Sequence, residues 1–225
     1  VLVIGAGPAG LAAAIKAKRA LVDGGSDAAV VVVDKAPKAG NHSLSGGLLE
    51  TACLDDLVPG WRNEKSPFTE RLDPIARDDM YFLTPRLAVP VPKPVVPGPM
   101  HHRGDLPVSV SQLAAFLAKQ AEKIGVELYF GYSIGGLLIE DGKVVGCRSS
   151  DSGLDKDGQP KVNHLASEQI RAAVTVLADG SGGVLSTEFR NLFGGGPNPQ
   201  VYSVGIKTVF QFQGKSPFGV NRAVH

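Results

Sequence analysis

Val1-Leu2-Val3-Ile4-Gly5-Ala6-Gly7-Pro8-Ala9-Gly10 decides the fold. Four apolar residues in a row read as a short buried strand. The six that follow fit the spacing G-x-G-x-x-G. Ala9 to about Leu21 then reads as a helix rich in Ala and Leu. Lys16, Lys18 and Arg19 lie toward its C-terminal end, where the helix dipole favours cations. Gly24-Gly25 stops it. Ala28–Val33 is a second apolar run, and Asp34 closes it 24 positions after Gly10. Strand, glycine turn, helix, strand and terminal acid are the parts of a dinucleotide-binding βαβ unit. Gly5 permits the tight turn, Gly7 lets the backbone approach a diphosphate, and Gly10 lets helix and strand pack closely. The helix start, at Ala9, offers N–H groups and partial positive charge to phosphate. Asp34 can accept hydrogen bonds from both hydroxyls of an unphosphorylated ribose, which leaves NAD or FAD.

The rest of the chain separates those two. Residues 35–79 are loop-rich, with a Gly/Ser segment at Gly40–Gly47. Tyr81-Phe82-Leu83 is followed by an apolar stretch, and seven prolines fall between Pro85 and Pro107. Proline at that density is excluded from a central strand, so extended edge segments or a hairpin tip are expected. Ser111–Ile124 is the clearest helix: Leu113, Phe116, Leu117, Ala121 and Ile124 share a face, and Gly125 takes the C′ position. Val126–Phe130 reads as the strand after it. Ser133–Ile139 and Lys143–Cys147 flank Asp141-Gly142, a hairpin signal. Ser149–Pro160 is polar and turn-prone. Ala173–Ala178 is another buried strand and runs into Asp179-Gly180, and Val201–Phe212 is a last apolar run. A simple NAD domain would continue in short β–α repeats. A late strand ending in Ala178-Asp179-Gly180, followed by Ser181-Gly182-Gly183, is instead the arrangement of flavoproteins that bind FAD in extended form. The expected fold class is α/β: a Rossmann-like FAD-binding fold with a parallel sheet, a β-hairpin insertion and the start of a second α+β domain.

Composition narrows the functions. With 23 basic and 22 acidic residues in 225, the balance does not point to nucleic acid, for which a basic excess is the usual footprint. Gly and Pro make up about a fifth of the chain, against roughly 12% in an average protein, so a helical bundle is disfavoured. Cys53 and Cys147 are too few for a disulfide scaffold or a multi-cysteine metal site within these residues. No apolar run reaches the roughly 18 residues of a membrane-spanning helix. A core strand at residue 1, without Met, leads to the expectation of an excised or incomplete chain.

Several stretches together resemble the FAD-binding part of the electron transfer flavoprotein–ubiquinone oxidoreductase family. They are Val3 to Leu11; Asp34-Lys35; Gly40-Asn41-His42-Ser43-Leu44-Ser45-Gly46; Val89-Pro90-Val91-Pro92; Pro97-Gly98-Pro99-Met100; Gln120-Ala121-Glu122; Gly125-Val126-Glu127; Gly131-Tyr132; Asp151–Lys161; Ala178-Asp179-Gly180; and Gln200–Lys207. The dinucleotide fingerprint and the Asp-Gly turn are shared by many flavoproteins, whereas the His-x-Leu-Ser-Gly, Pro-rich and Lys-Asp-Gly segments are more specific. Asp34 stands where the family usually has Glu, and Asp179 where its turn is usually Glu-Gly. The resemblance implies electron relay from reduced electron transfer flavoprotein to ubiquinone through FAD and a four-iron, four-sulfur cluster. That cluster is expected only in a C-terminal part beyond residue 225. It implies Gly5, Gly7, Ala9, Gly10, Asp34 and Lys35 around the ADP half of FAD, and Ser45 and Gly46 near the phosphates or isoalloxazine. Ile134 would edge the adenine, and Ala178, Asp179 and Gly180 would close over the ligand. No catalytic acid, base or nucleophile is expected, because the cofactor carries the chemistry.

The resemblance also implies a division: residues 1–79 and 111–185 as two parts of the FAD-binding domain, 80–110 as an insertion in contact with a membrane surface, and 186–225 as the start of a quinone-side domain. The setting would be a mitochondrial inner or bacterial cytoplasmic membrane. Two alternatives stay open: another FAD-dependent reductase or hydroxylase, such as a geranylgeranyl-reductase-like enzyme, and a non-catalytic dinucleotide-binding fragment. His101-His102 reads as loop histidines rather than metal ligands, because adjacent residues of an extended segment point opposite ways. Cys53 and Cys147 read as buried or inert thiols. Asp73, Asp78, Asp79 and the acids of 151–157 read as solvated loop charges.

Overall fold

The computed structural model describes residues 1–225 other than 71, 197, 199, 200 and 217; Gln200, in the last of the quoted segments, therefore lies outside the described residues. In chain order the elements are β1 (Leu2–Ile4), α1 (Pro8–Asp23), β2 (Val31–Asp34), β3 (Gly46–Leu49), α2 (Ala52–Leu57), β4 (Arg77–Asp79), β5 (Tyr81–Leu83), β6 (Ala88–Pro90), β7 (Leu106–Ser109) and α3 (Val110–Lys123). They continue with β8 (Glu127–Phe130), β9 (Ile134–Glu140), β10 (Lys143–Ser149), β11 (Ser152–Leu154), β12 (Pro160–Leu165), β13 (Gln169–Arg171), β14 (Thr175–Leu177), α4 (Val184–Phe193) and β15 (Arg222–Val224). Two units result, Val1–Leu44 with Val110–Val204, and Ser45–Ser109 with Gly205–His225.

In the first unit, four parallel strands run in the order β14-β1-β2-β8. Leu2 is level with Val31 on one side and Thr175 on the other. Alternate residues of a strand face opposite ways. Leu2, Ile4 and Val33 point into a cluster with Leu137 of β9, Cys147 of β10 and Leu185 of α4. Val3 and Val32 are buried too, on the face where α1 packs on β1 and β2 and against α3. The result is three layers: helices, parallel sheet, then the antiparallel sheet β13-β10-β9. Asp141 (φ 50°) and Gly142 (φ 73°) make the tight β9–β10 turn, the left-handed pair that a two-residue hairpin needs. Burial pushes the Cys147 thiol up to about 11, an inert group; Cys53, by contrast, is exposed.

Several features differ from the sequence expectation. Helix α1 runs on to Asp23, so Lys16, Lys18 and Arg19 miss its last turn, which has no basic residue. Polar residues 149–160 begin a ribbon, β11–β12, rather than a plain loop. Helix α4 crosses the expected boundary at 185/186 and stays with the first unit, because Leu185 is a core residue. Residues 201–212 form no regular element and are exposed.

The second unit is built from three strand pairs: β3–β7, the parallel β4–β15, and the hairpin β5–β6. Pairing of β3 with β7 places residues 46–49 with the Pro-rich stretch, so the expected boundary at 79/80 does not hold here. Its small core holds Leu54 and Leu57 of α2 and Trp61, fully buried, whose ring lies 5.6 Å from Phe68 and whose Nε1–H donates to Asp55 at 2.8 Å. Asp78 is buried rather than solvated: it sits in β4 and accepts the His102 N–H at 3.1 Å, a bond that lowers its pKa. Asp79 is held low as well, by Arg77 first and then Arg222. Among the described residues no helix is long and apolar enough to cross a membrane.

Candidate functional site

A crevice of about 460 Å³ opens in the first unit. It lies at the carboxyl ends of β1, β2 and β14, where ligands of open α/β sheets bind. Its size is within the range of small-molecule sites.

The fingerprint loop forms one wall. The Gly5 N–H donates to the Val33 carbonyl at 2.8 Å, and the Ala178 N–H to the Ile4 carbonyl at 2.9 Å, so the loop springs from three paired strands. Gly5 has φ 109°, and a side chain there would strike the Ala178 carbonyl. A Cβ on Gly10 would strike the Gly5 carbonyl oxygen and crowd Ala178. A Cβ on Gly7 would meet nothing within 4 Å. The three glycines thus divide their work: two are needed for the fold, and one keeps space open at the crevice. Pro8 stands at the first position of α1, where its missing N–H costs nothing. The other first-turn amides have no acceptor within the helix and carry its positive dipole end.

Asp34 closes the adjacent side. Its Oδ2 accepts the Ala6 N–H at 2.6 Å and its Oδ1 the Ala36 N–H at 2.7 Å. An ionised carboxylate has about four lone-pair sites. Two therefore hold the loop, and two stay available to a ligand's hydroxyls.

Residues 178–185 form the opposite wall. The Asp179 carboxylate is engaged by α4. Its Oδ2 accepts the amides of Leu185 (2.9 Å) and Ser186 (3.1 Å), and its Oδ1 the Ser186 hydroxyl. Asp179 therefore caps α4, and backbone from Gly180 to Gly183 lines the crevice. Two helix starts border the cavity, and their electrostatics differ. The amides of α4 are taken by an anion, while α1 carries no acid in its first turn.

The crevice brings together Gly5, Gly7, Asp34, Lys35, Ile134, Ala178, Asp179 and Gly180 of the expected residues. Ala9 and Gly10 lie within α1, outside the lining. Ser45 and Gly46 belong to the second unit. Sequence reasoning did not assign Ala36, His42, Ser43, Tyr132, Ser133 and Gly182–Leu185. The signal for the last group was the Gly-Gly pair after Asp179; Tyr132 and Ser133 follow Gly131 (φ 78°), which turns the chain after β8. Among the described residues no group of three His, Cys, Asp or Glu is placed to hold a metal ion.

Residues 1–68, which contain the fingerprint and Asp34, match the family described as FAD binding domain. Residues 1–44 of that match lie in the first unit, whose parallel sheet and crevice give the class expected, an α/β fold of the FAD-binding type. Solved structures agree in fold. A geranylgeranyl bacteriochlorophyll reductase-like protein from Thermoplasma acidophilum superimposes with TM-score 0.56 at 19% identity, covering 86% of this chain and 41% of that one. A myxobacterial FAD-dependent halogenase gives 0.54 at 17% identity, covering 83% and 38%. Sequence similarity is stronger elsewhere. The chain is 37% identical over 94% of its length to a probable electron transfer flavoprotein–ubiquinone oxidoreductase, mitochondrial, of Schizosaccharomyces pombe. It is 35% identical over 96% of its length to the mitochondrial electron transfer flavoprotein–ubiquinone oxidoreductase of Homo sapiens. It spans about a third of the length of these relatives, 33% and 35%.

Proposed function

We propose that the chain is the FAD-holding part of an electron transfer flavoprotein–ubiquinone oxidoreductase, taking electrons from reduced electron transfer flavoprotein and passing them to ubiquinone. One observation carries this reading: identity near 36% extends over more than nine-tenths of the chain, while the two solved structures described above are 19% and 17% identical. The crevice fits the cofactor. Amides at the start of α1 bind the diphosphate, Gly7 lets it approach, and Asp34 takes the ribose with its two remaining lone pairs. Bound FAD supplies the electron-transfer chemistry; the protein orients it and supplies no acid, base or nucleophile. Ser45 and Gly46 are proposed ligand contacts on the strength of the family resemblance alone. A four-iron cluster does not fit these 225 residues, since two cysteines, one of them buried, make no four-thiolate site. Its ligands are assigned to further chain.

The natural full-length protein tests the proposal. It should show iron–sulfur absorbance and reduce ubiquinone with electrons from reduced electron transfer flavoprotein. Oxidation of NADPH without quinone reduction would favour the reductase or hydroxylase alternative instead.

We further propose that the β5–β6 hairpin meets a membrane surface, the inner mitochondrial or bacterial cytoplasmic one. Phe82 (68% exposed), Leu83 (72%) and Leu87 (67%) form an apolar tip of the kind that marks membrane or partner surfaces. The full-length protein should float with liposomes, and the Phe82→Ser, Leu83→Ser double variant should float far less. Equal flotation would remove the membrane role.

A further inference from the structure

Tyr132 supplies the one phenolic ring among the residues lining the crevice, and the binding scheme above leaves it without a task. We propose that Tyr132 is the platform on which the adenine ring of the dinucleotide stacks. The inference rests on reading the crevice as a dinucleotide site, and it deepens that reading.

Position argues for it. The Tyr132 N–H donates to the main-chain carbonyl of Asp34 at 2.9 Å. The residue that takes the ribose and the residue that carries the ring are thus joined directly. In a dinucleotide the sugar bonded to adenine lies between base and diphosphate. Tyr132 follows β8, which pairs with β2 on the side opposite β1 and its glycine turn, and so stands on the base side. Gly131, with φ 78° and its N–H on the Ala36 carbonyl at 2.9 Å, turns the chain out of β8 just before Tyr132.

Presentation argues for it too. Tyr132 is 39% exposed, so it is neither a core residue nor a loose surface one. Tyr129 braces it edge-on, centroids 6.5 Å apart at 75°. Tyr129 is fixed in turn by its hydroxyl, which donates to Glu127 at 3.0 Å. The two rings meet edge to face, a contact that leaves at least one face of the Tyr132 ring uncovered by Tyr129. Ile134, half-buried in the apolar cluster, can only border the base.

Calorimetry on the full-length protein freed of FAD, with ADP and with inorganic pyrophosphate, tests the assignment. Stacking of a base on an aromatic side chain is lost on alanine substitution with an effect of about tenfold in affinity. Tyr132→Ala should weaken ADP about tenfold and leave pyrophosphate unchanged, while Tyr132→Phe should bind ADP within about twofold of the parent. Unchanged ADP binding in Tyr132→Ala overturns the inference. So does equal loss of ADP and pyrophosphate, which marks a collapsed crevice, or a loss in Tyr132→Phe equal to that in Tyr132→Ala, which assigns the effect to the hydroxyl. A parent chain that binds neither ligand overturns the dinucleotide reading and the inference together; a parent that binds ADP beside an unaffected Tyr132→Ala overturns the inference alone.

Discussion

A Gly7→Ala chain is expected to fold and melt as the parent does, and to lose the dinucleotide. Gly7 has φ −75° and ψ 174°, backbone that alanine adopts without strain. The added methyl meets nothing within 4 Å in the protein, so stability should change by less than about 0.5 kcal/mol. The methyl would instead occupy the space through which the diphosphate reaches the first-turn amides. Losing that approach should cost on the order of 100-fold or more in FAD or ADP affinity, about 2.7 kcal/mol. Gly10→Ala should behave the opposite way. Its methyl would drive into the Gly5 carbonyl oxygen, which is backbone and is held by paired strands. Overpacking of that kind costs about 1–3 kcal/mol, and more where nothing flexible can give. For a chain of this size each kcal/mol lowers the melting temperature by about 2–4 °C. Gly10→Ala should therefore melt several degrees lower, and its binding loss should follow the loss of fold. Thermal melts read alongside ADP titrations separate the two. A Gly7→Ala chain that binds normally would sink the diphosphate seat at α1.

The same contrast shows how much could be read from residues alone. The βαβ unit was legible because every part of it is local: apolar run, glycine turn, helix, and an acid at the strand end. The β9–β10 turn was legible because Asp141-Gly142 is a pair that tolerates positive φ. Helix α3 was legible from its apolar period. Helix α4 was not. Its capping carboxylate is Asp179, separated from the first helical residue by Gly180 to Gly183, so the usual cap adjacent to the helix is missing. Asp78 was misplaced for a related reason: what makes its burial tolerable is an N–H from residue 102, far along the chain. Residues 201–212 are an apolar run, yet such a run becomes a strand only where a partner supplies hydrogen bonds, and among the described residues no strand pairs with them. Of the crevice lining, the expected residues Gly5, Gly7 and Asp34 stand in one local βαβ pattern, whereas Tyr132 and Val184 carry no such pattern and enter the lining only through the way β8 and α4 pack.

Asp179 gives the second large effect, and it too divides structure from contact. Asp179→Ala removes the acceptor of two α4 amides and of the Ser186 hydroxyl. Loss of a capping carboxylate costs about 0.5–2 kcal/mol. The upper end is expected here, because Leu185, whose N–H is left without its partner, is 2% exposed and sits in the core. Binding should fall as well, since backbone 180–183 forms a crevice wall and would lose its anchor. Had Asp179 been a direct ligand contact, the melting point would hold while affinity fell. Had it been only a negative charge near a diphosphate, Asp179→Asn would tighten binding. The capping geometry instead makes Asp179→Asn intermediate in stability, one amide oxygen serving where two carboxylate oxygens had. Gly183 offers an independent check, because a Cβ there would run into the Asp179 carboxylate. Gly183→Ala should therefore reproduce the Asp179→Ala loss by pushing the carboxylate off the helix. Residues acting through one contact are not additive. The Asp179→Ala, Gly183→Ala double variant should be little worse than either single one, since with the carboxylate gone the methyl has nothing left to strike. Full additivity in chemical denaturation would mean that Asp179 and Gly183 act separately, and that α4 is held in place by other means.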